Sequence, residues 1–383
     1  MTRVGSPTRT RRAIRLPGLD ELRDIGLGAG LDAFGTTAAT AWPDALAQLE
    51  ARQAAGYDAG MPFTYRNPAR ATDPRRSLPD AASLVVGAVA YRRRPPSPPA
   101  PSAGPVARVA AYAWSDHQER LRVALKAVAR RLKESGWRAR VLIDDNALVD
   151  REAAHRAGIG WFGKNANLLL PGHGSWFVLG SVLTSAPLPA AGERVADGCG
   201  ACRRCLDGCP TGAIVAPGVI DANRCLSWLL QVDGDLPRRY RAAVGDRIYG
   251  CDDCQDVCPE NRRADGADPP AAEPDAVAWV PVLDLLDRSD EEILARHGEW
   301  YIPRRDPDQV RRNALVVLGN TAAPDDARGV ATLQRYLGHP NPVLRRHAAW
   351  ACRRIGRADV LAPFAGDDAV AGELAEAAPE ART

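Results

Sequence analysis

The sequence predicts an α/β (α+β) domain, then a cysteine-dense unit built on short turns, then a C-terminal α-helical repeat pair. Three observations carry this reading. Helical and strand-like apolar patterns alternate across residues 16–193, eight of the nine cysteines fall between Cys199 and Cys258, and two arginine-led apolar stripes recur about 33 residues apart near the C-terminus. With 383 residues, 45% of them hydrophobic, the chain can bury a full core, which excludes the disordered class. No apolar run reaches the ~18 residues that a membrane span needs.

Taken in order, residues 1–15 carry Arg3, Arg9, Arg11, Arg12 and Arg15 with no apolar segment behind them. They read as a loose basic arm, not a signal sequence, and a cytoplasmic chain is expected. Helical patterns follow to about residue 55, and "SLVVGAVAY" (83–91) reads as a buried strand. "RRRPPSPPAPSAGP" (92–105) is expected to be a surface loop, because its prolines lack donors and fix the backbone. Leu121, Leu125, Val128 and Leu132 share one helix face, with Asp116 as N-cap and Gly136 as stop. "ARVLID" (139–144) predicts a strand, "ALVDREAAHRAG" a helix and "WFVLGSVLTS" (176–185) another strand, the whole forming a layered sheet domain over 16–193. Ligands of layered sheets sit beyond strand ends, which is where Asp144 falls.

Residues 194–262 hold the cysteine unit, and the Pro/Ala-rich stretch that follows marks 263–299 as a linker. "VRRNALVVLGN" (310–320) and "VLRRHAAWACRRIG" (343–356) resemble each other and predict a HEAT-like helical module over 300–365. The Ala-rich, acidic tail at 366–383 is expected to be disordered.

Cysteines this clustered suit metal ligation in a reducing compartment better than a secreted disulfide framework. Cys199, Cys202, Cys205 and Cys209, followed by Pro210, form C-x2-C-x2-C-x3-C-P. In bacterial ferredoxins that run gives its fourth cysteine to the other cluster. Cys225 and then Cys251, Cys254 and Cys258 before Pro259 make a sparser second group. The same exchange assigns Cys199, Cys202, Cys205 and Cys258 to one 4Fe-4S cluster, and Cys209, Cys225, Cys251 and Cys254 to another. A pair of zinc sites is the alternative, but zinc takes two separated C-x2-C knuckles, unlike this run. Cys352 is left over and reads as a core residue.

"DREAAHRAGIGWFGKNANLLLPGHGSWFVLGSVLTS", "CGACRRCLDGCPTGAIVAPGVIDANRCLSWL", "YGCDDCQDVCPENR" and "RRNALVVLGN" closely resemble the epoxyqueuosine reductase family, collinearly across roughly residues 15–360. That family is similar to cobalamin-dependent reductive dehalogenases. The resemblance implies a cobalamin, two 4Fe-4S clusters, a HEAT-like domain that holds tRNA, and reduction of epoxyqueuosine to queuosine at the wobble position. It further implies Asp144 as proton donor, a role that requires burial to raise its pKa. At matching positions it implies cobalamin contacts from Arg66, Asp144, Lys164, Asn165, Ser227, Asp252 and Asp253. An external low-potential electron donor and a monomer are expected.

The chain departs from the family where "VDS(A/G)P" is replaced by "IDDNA", and where a Lys-Gly pair is replaced by Asp233 and Gly234. His117, His155, His173, His297, His339 and His347 share no metal-ligand spacing, so a histidine beneath the cobalt is not indicated. Lys126, Lys133 and Lys164 are the only lysines, so the net charge of +3 rests on arginine. Of these arginines, Arg304, Arg305, Arg311 and Arg312 are assigned to tRNA phosphates on the strength of the resemblance. Asn313 and Asn320 read as satisfying backbone between helices. Two other readings stand beside this one: a cobalamin and iron–sulfur reductase of another substrate, dehalogenase-like, and an iron–sulfur electron-transfer protein.

Overall fold

A computed structural model of the chain describes residues 14–100, 104–190, 193–263 and 269–377. The basic arm, except Ile14 and Arg15, and the last residues of the tail lie outside them. The first elements are α1 (Leu19–Gly28), β1 (Ala33–Ala38), α2 (Pro43–Ala54), α3 (Pro68–Ala71), β2 (Ser83–Ala90) and β3 (Val106–Val109). Then come α4 (His117–Glu134), β4 (Ala139–Ile143), α5 (Asp150–Arg156), β5 (Trp161–Phe162), β6 (Leu168–Leu169) and β7 (Phe177–Thr184).

The strands β1, β2, β7 and β4 form one sheet in that order, antiparallel at every joint, which is the α+β form of the predicted domain. Along β2, Leu84, Val86 and Ala88 face one core with Trp42 and Leu183, while Val85 and Val89 face another with Leu22 and Leu125. Both faces are covered, so the two-residue period is hidden in a continuously apolar run. Asp116 accepts the Glu119 N–H at 3.0 Å and starts α4. The stripe of four apolar residues then lies on the sheet, its burial worth about 6–12 kcal/mol. A Cβ on Gly180 would stand 2.8 Å from both Leu125 and Ile143, so glycine is what admits the helix this close. The strand β1 corrects the helical reading of residues up to 55. Its sequence AFGTTA carries little apolar signal, yet Thr36 is fully buried because its hydroxyl donates to the Pro189 carbonyl at 2.7 Å.

The chain continues through α6 (Arg204–Asp207), β8 (Ile214–Ala216), β9 (Val219–Ile220), α7 (Leu226–Leu229), α8 (Arg238–Val244), β10 (Arg247–Tyr249), α9 (Asp253–Asp256) and α10 (Pro259–Arg263). Next are β11 (Trp279–Pro281), α11 (Val282–Asp287), α12 (Asp290–His297), α13 (Asp308–Thr321), α14 (Ala327–Leu337), α15 (Pro342–Arg354) and α16 (Asp368–Ala375). A second sheet places β3 between a parallel β10 and an antiparallel β11. The linker reading of 263–299 therefore fails over its second half. There β11, α11 and α12 bury Val280, Val282, Leu285 and Ile293 in the core that also holds α13 and α15. The disordered-tail reading fails over the described residues 366–377, since α16 docks and its Glu373, 2% exposed, pairs with Arg238 at 2.8 Å and Arg241 at 3.3 Å. Among the described residues no helix is long and apolar enough to cross a membrane.

Cys352 is fully buried, as expected. Asn313 donates to the Leu230 and Ile248 carbonyls, and Asn320 to those of Arg241 and Gly245, also as expected. Arg311 and Arg312 are not phosphate contacts. Arg312 is 1% exposed, and all five of its N–H donors are used, on the carbonyls of Leu229, Val232 and Gly234 and the amide oxygen of Asn313. Arg311 is held by Asp308 at 3.0 Å, Asp290 at 2.6 Å and the Arg288 carbonyl at 3.0 Å. Arg312→Met should cost about 3–5 kcal/mol in a denaturant melt, because several buried carbonyls lose their donor at once. Arg312→Lys should not restore it, since an ammonium lacks the planar fork.

Two histidines are buried in this part of the chain. Burial, with Arg296 and Arg288 nearby, holds the His297 pKa down to about 4, and burial holds His347 well below its ordinary value. His347 is fixed as a neutral ring, donating from Nδ1 to the Val343 carbonyl at 2.7 Å and accepting the Leu236 N–H at Nε2 at 3.3 Å. With folded pKa values below the unfolded ones, the unfolded chain binds more protons. The stabilisation is complete above pH 6.5 and is lost as pH falls towards about 4. From His297 alone this is worth about 3 kcal/mol. Melts between those pH values should show that acid loss, and His297→Leu should flatten it.

Candidate functional site

The two cysteine runs wrap two short helices that pack on each other. A Cβ on Gly208, just after α6, would lie 3.2 Å from both methyls of Val257, just after α9. Each helix holds a middle cysteine, Cys205 or Cys254, and is followed by one that leaves it, Cys209 or Cys258. The thiols influence one another in two sets: Cys199, Cys205 and Cys258 in one, and Cys209, Cys225, Cys251 and Cys254 in the other. Cys202 belongs to the first turn, its N–H donated to the Cys199 carbonyl at 3.0 Å. Burial is the main reason these thiols resist ionisation: Cys251 is pushed up to about 12, and Cys254 is raised well above the ordinary range. Metal binds thiolate, so loading such sites releases protons. Among the described residues no three His, Cys, Asp or Glu side chains converge closely enough for a single ion.

The segment from Trp161 to Asn167 braces both cysteine sets. Lys164 Nζ donates to the Gly200 and Cys202 carbonyls at 2.6 and 2.9 Å. Asn165, 3% exposed, donates to the Cys254 carbonyl at 3.3 Å, and Asn167 donates to Gln255 Oε1 at 2.9 Å. Asp253 forms a two-pronged pair with Arg247, both contacts at 2.7 Å from Nη2. The side chains of Lys164 and Asn165 thus hold the cysteine loops, and that of Asp253 is engaged by Arg247.

Asp144 ends β4 with φ 48°, a strained backbone for a non-glycine residue, and it is exposed. The burial expected of a proton donor is therefore not supplied by the protein itself. The second carboxylate of the IDDNA loop is engaged: Asp145 accepts the Ala147 N–H at 2.9 Å and lies 3.6 Å from Arg140. Asn146 accepts the Thr64 N–H at 3.1 Å and ties this loop to the segment before Arg66, itself exposed.

Around Asp144 the structure gathers residues that sequence reasoning missed. Its charge reaches Tyr249, whose hydroxyl burial pushes up to about 12 and which accepts the Tyr301 N–H at 2.7 Å. Tyr112 neighbours Tyr249 at 6.0 Å between ring centroids and lies beside Ser227 and Asp252. Asp252 accepts the Ala111 N–H at 2.7 Å, and burial lifts its pKa to about 6. Phe63 packs edge-on against Trp228 at 5.6 Å and Tyr301 at 5.5 Å. Burial raises Asp150 well above the carboxylate range, with Asp144 adding to it and Arg151 opposing. Of these, Asp150, Trp228 and Tyr249 fall within the stretches that carry the family resemblance, while Phe63, Tyr112 and Tyr301 gave no sign in the sequence.

Cys225 is the N-cap of α7, so the second thiol set lies within one helical turn of Ser227 and Trp228. Electron-carrying ligands that end beside an acid-bearing strand terminus define, by class, a two-cluster iron–sulfur oxidoreductase. Residues 198–261 match the 4Fe-4S double cluster binding domain, and residues 301–380 match HEAT repeats. The chain belongs to the epoxyqueuosine reductase family. It is 34% identical over 335 residues to the epoxyqueuosine reductase of Bacillus cereus, covering 85% of this chain and 86% of that one. It is 34% identical over 346 residues to that of Bacillus subtilis, covering 88% and 87%. Two solved structures are similar at a TM-score of 0.83 and 30% identity, covering 93% of this chain and 96% of theirs. One is an epoxyqueuosine reductase with a tRNA-Tyr epoxyqueuosine-modified stem loop. The other is the Bacillus subtilis enzyme with its catalytic aspartate loop swung out of the active site.

Proposed function

We propose that this oxidoreductase reduces epoxyqueuosine to queuosine in tRNA, with two 4Fe-4S clusters passing electrons to a cobalamin and Asp144 delivering a proton. The observation that carries the reading is the second thiol set joined through α7 to the site at Asp144. Opening an epoxide to an alkene takes two electrons and two protons and releases water. A bound cobalamin supplies the reducing centre that acts on carbon.

The residues present fit a corrin. Phe63, Trp228 and Tyr249 offer apolar surface, and Arg66, Ser227 and Asp252 would hold its polar rim. Cys199, Cys202, Cys205 and Cys258 would ligate one cluster, and the other four cysteines the second. Asp144 protonates the departing oxygen. Its burial comes from what binds over it, which suits a loop like the one that swings in the Bacillus subtilis relative.

For tRNA the support is Arg304 and Arg305. Both are exposed and both have positive φ, 52° and 54°, a strained turn that displays two arginines outward. Asp233, standing where the family has lysine, pairs with Arg304. The chain acts as a cytoplasmic monomer fed by an external low-potential donor.

The test is anaerobic cluster reconstitution and cobalamin loading, followed by nucleoside mass spectrometry of epoxyqueuosine-containing tRNA. Queuosine should appear. Bound cobalamin without conversion would point to another substrate, and iron without cobalamin affinity to an electron-transfer protein.

A further inference from the structure

Beside the first thiol set stands a hydrogen-bond donor that no other acceptor among the described residues takes up. Trp161 is 5% exposed, and its indole Nε1 is buried without a hydrogen-bond partner. Leaving a buried donor unpaired is costly, so its placement calls for a reason. The ring is pressed onto the cysteine loop: a Cβ on Gly198 would stand 2.7 Å from Trp161 Cζ2. Its backbone is pinned in β5 opposite Leu169, so the indole cannot turn away with the chain. The polar atom it bears on is the sulfur of Cys199, which the Lys164 backbone N–H also favours as thiolate. The charge of Lys164 sits over the same loop through its bonds to Gly200 and Cys202. The second set shows the device in backbone form, with the Ala213 N–H donating to Cys209 Sγ at 3.2 Å.

We propose that Trp161 is a tuning residue whose indole N–H donates to the Cys199 thiolate and raises the reduction potential of the first cluster above the value that burial and charge alone would set. Donors to cluster sulfurs favour the reduced form, which carries the extra negative charge. The second set is the one joined to α7, so the first is the entry point for electrons. Raising its potential keeps it filled by the donor. The inference rests on the two-cluster reading above.

The test is Trp161→Phe in the full chain with both clusters reconstituted anaerobically. Iron content reports the two-cluster reading, and a potentiometric titration followed by electron paramagnetic resonance reports the proposal. Expected is full iron loading with one cluster's reduced-to-oxidised ratio falling about tenfold at fixed potential, roughly 59 mV for one electron. The other cluster should be unmoved. Full loading with both potentials unchanged overturns the proposal. If the variant fails to load, the wild-type protein labelled with 15N in its indoles decides the matter. A 15N hyperfine coupling to a reduced cluster supports the donor, and its absence overturns it.

Discussion

Asp144→Asn will lower epoxyqueuosine conversion by about 10^2 to 10^4, the range for removing a positioned proton donor, while iron and cobalamin content stay at the parent level. The side chain keeps its size and loses only its proton. Because Asp144 is exposed at a strained strand end, it contributes little packing, and the variant should melt at the parent temperature. Single-turnover assays with pre-reduced protein isolate the effect from electron delivery. Parent-like turnover in a fully loaded Asp144→Asn protein would falsify the assignment and move attention to Asp150, whose carboxyl burial already holds in the protonated form to higher pH.

The second large effect concerns the crosswise cysteines. Cys209→Ala removes a residue whose sequence neighbours belong to the first run, yet it should abolish the second cluster and leave the first. Cys258→Ala should do the reverse. The division of the thiols into two mutually interacting sets is the reason. Either loss interrupts a path of single electrons, so turnover should fall to background in both. Iron analysis gives half the parent content in each case, and the spectrum of the remaining cluster identifies which one survives. Loss of the first cluster from Cys209→Ala would show that each run closes on itself.

The residues legible in the sequence were those whose spacing is itself chemistry. Three cysteines at consecutive threes, and a fourth that leaves along a short helix before proline, dictate an exchange between sites. The strand ending at Asp144 and the α4 stripe were equally visible, because a continuous apolar run and a helical period each name one kind of packing. The arginines assigned to tRNA from the sequence show the opposite case. Arg304 and Arg312 look alike as letters, yet one is exposed on a strained turn and the other, on α13, is buried and fully engaged. A charge reversal at Arg311 and Arg312 would report on folding, not on RNA.

What the sequence by itself determined was the family, the clustering of the cysteines and the order of the units along the chain. Only the tertiary structure decided that β3 of the first unit shares a core with the cysteine unit and the helical module. β3, β10 and β11 come from three separately read segments, and none of them is apolar enough to announce a strand until its partners are beside it. It also decided which polar groups are free to act. Lys164 and Asn165 hold cysteine loops and Asp253 is engaged by Arg247, while the indole of Trp161 is left facing a sulfur. Hydrogen-bond partners far apart in sequence come together only when the chain is closed, and a residue's chemistry is whatever those partners leave unsatisfied.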